Sequence, residues 1–237
     1  MPAAGSRAEG TATYGLRLKG HHMNSSKTMF RGAVAVLTLV LVQAALAAEK
    51  QPIRFNAADQ AAAKAVTLKL TDLGAGWKGG ITKPDLTSDV NCATKRSDLV
   101  LTGAAKSQFN SSGVLISSES EVLQSPAMVA AEWQRTVANA VYMACIRRES
   151  FKSDASFRLV SFKKIAFPQL TRMAARYRVV ADAGASGSSV RVVLDLILLG
   201  QGRTEITLIV SAPYADRAAA DLAERRLAQI LVSRIRA

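Results

Sequence analysis

Glu119 and Glu121 stand one residue apart, and Arg172, Arg176 and Arg178 recur at even positions. These two groups hold most of the reactive potential of the sequence. On an extended strand Glu119 and Glu121 share a face at a spacing of roughly 7 Å. A pair of carboxylates is what glycoside hydrolysis requires, one acting as acid and the other as base or nucleophile. The same spacing is ordinary on a solvated strand, so surface charge is the expectation and a carboxylate-dependent hydrolase the alternative. Other catalytic arrangements lack their parts. Both histidines, His21 and His22, lie ahead of any folded segment, so no Ser-His-Asp or Cys-His set can form downstream. Gly200-Gln201-Gly202 is a fragment of a phosphate-loop pattern and reads as a hairpin turn. Cys92 and Cys145 are too far apart for a CxxC redox pair, and two thiols without histidine cannot fill a tetrahedral zinc shell. No catalytic residue, metal or cofactor is expected.

The arginines point instead to binding. Arg172, Arg176 and Arg178 project from one face of a strand; Arg191, with Asp195, lies on the next, and Arg203, with Glu205, on the one after. Five arginines against two acids leave a positive face suited to an anion or an acidic protein. The plainer alternative is an outer face whose charges pair with one another for little net gain. Nucleic acid is not the expected partner, because no Lys/Arg run exceeds two residues and no aromatic side chains are interleaved with the charge.

Residues 23–47 set the compartment. Lys27 and Arg31 form a positive start, Gly32 to Val42 an apolar core, and Ala45-Leu46-Ala47 a small-x-small cleavage site before Ala48, the layout of a secretory signal peptide. The apolar run is well short of the about 20 residues that span a bilayer, so no stable transmembrane anchor is expected. Residues 1–22 read as an over-long start or an unstructured extension, with Met23 or Met29 as initiator. Cleavage leaves residues 48–237 as one exported domain with 26 basic and 17 acidic residues, a net +9. Two cysteines behind an export signal predict a disulfide. It would close a loop of about 54 residues, worth on the order of 4 kcal/mol in the chain-entropy account.

The elements that must position these residues follow from periodicity. Ala57 to Leu73 reads as a helix capped by Asn56 and stopped at Gly74; Trp77 then plugs the core, and Lys78 to Val90 reads as loop. Ser112 to Leu123 reads as a strand. Ser125 and Pro126 open a helix running to Arg148, with Val129, Ala130, Trp133, Val137, Ala140, Val141, Ala144 and Cys145 on its apolar face. Four alternating strands follow, over 157–167, 172–183, 189–199 and 203–212, joined by short Gly-rich links. A last helix, 214–235, is predicted to cover the sheet with Ala218, Leu222, Leu227, Ile230, Leu231 and Ile235. The fold class is α+β, an antiparallel β-sheet with packed helices in an α/β/α-type sandwich, with one disulfide.

The succession of a helix, Asp72-Leu73-Gly74-Ala75-Gly76-Trp77, the first Cys, a strand, a Pro-started helix with a Trp and the second Cys, a strand meander and a closing helix resembles small exported actinobacterial domains. These include the extracellular sensor domain of mycobacterial serine/threonine receptor kinases and related lipoproteins, whose sandwich is similar to the photosystem II extrinsic protein P. The chain departs from them in having no lipobox, no kinase, no transmembrane helix and a single cysteine pair. The resemblance implies ligand or envelope binding without catalysis. Together these readings predict a secreted or periplasmic cell-envelope protein that binds an anionic or apolar, lipid-like ligand or a partner protein. A purely structural envelope role is the other alternative.

Overall fold

The structure, a computed structural model, describes residues 51–86, 92, 94, 96–151, 156–184 and 188–236. The leader, the extension before it and the cleavage site lie outside the described residues. Seven strands form one antiparallel sheet: β1 (Lys78–Thr82), β2 (Leu101–Ser111), β3 (Val114–Leu123), β4 (Phe157–Ile165), β5 (Met173–Ala183), β6 (Val190–Gln201) and β7 (Thr204–Pro213), in the spatial order β1-β2-β3-β7-β6-β5-β4. The β2–β3 hairpin turns through Ser112 and Gly113, both at positive φ, the conformation whose twist suits a two-residue hairpin. Gly202 supplies the same freedom between β6 and β7.

Helices cover both faces. Against one lie α1 (Ala57–Val66) and α4 (Arg217–Arg236), burying Val66, Phe109, Ile116, Ile197, Leu199, Leu208, Leu227 and Leu231 in the main core. Asn56 caps α1 by accepting from the Asp59 N–H. Gly103 lets α1 approach, since a Cβ there would stand 2.3 Å from the Asp59 carbonyl oxygen. The opposite face carries α2 (Pro126–Arg135) and α3 (Ala140–Ser150), with Tyr142, Met143, Ile146, Ala175 and Tyr177 buried beneath them. Cys92 and Cys145 are joined, Cα to Cα 5.7 Å apart. The disulfide thus ties α3 to the segment before β2. Among the described residues no helix is long and apolar enough to cross a membrane.

The sheet, the layer order and the disulfide agree with the sequence-based expectation; several elements differ. β1 occupies part of the expected loop, and β2 was not foreseen. Residues 57–73 yield a shorter helix and then a 3-10 turn at Leu70–Asp72. The helix expected over 126–148 breaks at Thr136–Asn139: Thr136 and Val137 are β-branched, and Asn139 starts a new helix by accepting from the N–H groups of Val141 and Tyr142. The freed Val137 carbonyl accepts from the Tyr177 hydroxyl at 3.0 Å. The break resets the helical phase, which leaves Val141 79 % exposed and buries Tyr142, Met143 and Ile146. In α4 the inward row is Ala220, Glu224, Leu227, Ala228 and Leu231, whereas Leu222 is 71 % exposed.

Candidate functional site: paired charge inside, cations outside

An exposed row of Arg172, Arg176 and Arg178 does not form, because α4 lies on that face. Arg172 is exposed. Arg176 has only 3 % of its side chain exposed and pairs with Asp195, Asp221 and Glu224. Arg178 is the register partner of Asp195 and bonds it at 2.5 Å while also reaching Asp221. Asp195 comes from β6, Asp221 and Glu224 from the inner side of α4. Burial, reinforced by the hydrogen bond to Asp195 and its charge, pushes Glu224 up to about 9 against the pull of the two arginines. Burial would raise Asp221 as well, but hydrogen bonds from Arg176 and Arg178 hold it below the usual carboxylate range. The Asp195 hydrogen bond raises the Arg178 guanidinium further. A neutral Glu224 balances two cations against two carboxylates, so the cluster clamps α4 to β5 and β6.

The other two arginines are also engaged. Arg191 and Arg158 flank Asp182 across β4, β5 and β6, and Arg191 is the main reason Asp182 titrates low. Arg203 donates to Asp59 at 2.5 Å and to the Leu123 carbonyl at 2.8 Å, pinning the start of α1 to the β3 end. The sequence missed Asp59, Asp182, Asp221 and Glu224 as partners. A glutamate inside the Ala220, Leu227, Leu231 stripe was the available signal.

Glu119 and Glu121 are not solvated. They lie on the α2-covered face, Glu119 3.8 Å from Lys106, and burial with the Glu121 charge pushes Glu119 up to about 8. Glu121 is buried and faces Arg96, Glu132 of α2 and Glu205 of β7. Burial raises Glu132 to about 7 and Glu205 well above its ordinary value; the neighbouring carboxylate charges add to the rise and Arg96 opposes it.

These inward pairings shape the exterior. Among the described acids only Asp98 and Asp216 are exposed, against fifteen exposed Lys and Arg residues. Lys69, Arg226 and Arg234 surround Asp72 after α1: the Arg234 guanidinium pairs with its carboxylate at 2.8 Å, Arg226 donates to its backbone carbonyl, and the Lys69 backbone N–H donates to its side chain. Lys163 and Lys164 stand exposed on the edge strand β4, where lysines discourage strand addition.

No family model matches the chain, and no curated protein matches it. Among solved structures, an uncharacterised protein of Mycobacterium smegmatis is similar at 12% sequence identity and a TM-score of 0.44, over 76% of this chain and 98% of that one.

Proposed function

We propose that the protein is an exported, non-catalytic binding protein of the cell envelope, whose cationic exterior takes a phosphate-rich polyanion such as an anionic lipid surface. The segregation of charge carries this reading. Of the described carboxylates four are buried, eight half-buried and only Asp98 and Asp216 exposed, while most cations face out, so the exposed charge is predominantly positive. A surface of that kind concentrates polyanions by long-range attraction. The leader and the Cys92–Cys145 disulfide support an oxidising compartment outside the cytoplasm, where nucleic acid is scarce and anionic lipids and wall polymers abound. The sensor-like resemblance fits the same binding role.

A hydrolase built on Glu119 and Glu121 is less well supported, since Glu121 is committed to Arg96 and the interior carboxylates. Co-sedimentation with phosphatidylglycerol vesicles, compared with phosphatidylcholine vesicles, tests the proposal. Retention on the anionic vesicles alone is expected. Equal retention on both contradicts it.

A further inference from the structure

Glu121 on β3 and Glu205 on β7 are register partners on neighbouring strands. Like charges placed opposite one another destabilise a strand pair, yet α2 brings a third carboxylate, Glu132, onto them. One oxygen from each of the three lies within 4.8 Å of the others. Arg96 answers them, paired with Glu132 and 3.7 Å from Glu121. With all three ionised, the carboxylates outnumber the one guanidinium by two charges, and the adjacent Lys106 is 3.8 Å from Glu119. Glu132 is only 4 % exposed; it turns Oε1 to Arg96 and keeps Oε2 buried with no hydrogen-bond donor. The Glu205 carboxyl can satisfy that oxygen only while it carries a proton. On the opposite face Asp195, Asp221 and Glu224 meet two guanidiniums, Arg176 and Arg178, so a single proton on Glu224 balances the charge there, while both Glu224 carboxyl oxygens are likewise buried without a hydrogen-bond partner.

We propose that Glu121, Glu132 and Glu205 hold one divalent, oxygen-preferring cation of calcium size. Such ions take carboxylate oxygens at about 2.3–2.6 Å, and the 4.8 Å limit on the donor oxygens is about twice that length. The ion supplies two positive charges, partners Glu132 Oε2 and separates Glu121 from Glu205. Glu205 is the least buried of the three residues. Arg96 stays beside the ion and orients Glu132. The site uses none of the exterior cations, so it stands or falls apart from polyanion binding.

Terbium(III), a luminescent stand-in for calcium, tests the site in the purified, disulfide-bonded protein after removal of metals with EDTA. Tyr142, close enough to Glu132 and Arg96 to feel their charges, is placed to sensitise the emission. Saturable emission from one ion per chain is expected, displaced by calcium chloride and at least tenfold weaker in Glu205→Gln and Glu121→Gln. Glu224→Gln, on the other face, is expected to bind as the parent does. Calcium chloride is expected to raise the melting temperature of the parent but not of Glu205→Gln. Absence of saturable emission, or parent-like binding by both glutamine variants, overturns the proposal and assigns the two missing charges to protons.

Discussion

Arg176 and Arg172 belong to the same strand region and differ completely in what they do. Arg176 is closed over by α4 with three carboxylates around it, so truncating it strands buried charge. Arg176→Met is expected to cost about 3–5 kcal/mol in denaturant unfolding, and exposed Arg172→Gln to stay within about 0.5 kcal/mol; equal, small effects would mean the clamp is not formed. Glu224 brings a pH dependence. Its folded value of about 9 lies above the ordinary carboxylate value, so the folded chain holds a proton that the unfolded chain releases above about 4.5. The stabilisation is complete below the unfolded value and is lost as pH rises through the folded one. Stability measured from pH 5 to 9 is therefore expected to fall, and Glu224→Gln to flatten that slope by up to one proton. An unchanged slope would place the proton elsewhere. The sequence displayed Arg176 and Arg178 correctly as sharing a strand face, whereas Arg172 precedes the strand. It could not display the helix above it, because Asp221 and Glu224 lie more than forty positions away.

At the level of elements, β5, β6 and β7 were legible because their apolar residues alternate, and α2 because Ser125 and Pro126 mark its start. β2 was not. It is buried on both faces with Ala104, Ala105, Lys106 and Ser107 in its middle, so neither alternation nor a run of large apolar residues identifies it. Ser107, Ser118 and Ser120 are satisfied inside by one another and by the Ala63 carbonyl, which lets α1 lie close to a sheet face of small residues. The break between α2 and α3 was hidden because the apolar spacing continues across it. Tyr177→Phe orphans the Val137 carbonyl there and is expected to cost about 1–3 kcal/mol; a neutral result would show that water replaces the hydroxyl. Reducing the Cys92–Cys145 disulfide releases α3 from the β2 approach. The expected loss is on the order of 4 kcal/mol, read as a lower urea midpoint with reductant than without.

For the molecule as a whole, net charge was readable from composition, but its placement was not. Composition cannot tell which acids go inside, and here Glu121, Glu132, Asp195 and Glu224 are buried while Lys64, Lys69, Arg225 and Arg226 remain outside. The account rests on that division, and binding to anionic vesicles across a salt series measures it most directly. Retention on phosphatidylglycerol vesicles is predicted to decline steeply as sodium chloride rises through about 0.15 M, where screening confines charge attraction to roughly 8 Å. The triple variant Lys69→Gln, Arg225→Gln, Arg226→Gln is predicted to weaken retention at low salt with its melting temperature nearly unchanged. Retention that ignores both salt and the triple substitution would contradict the account.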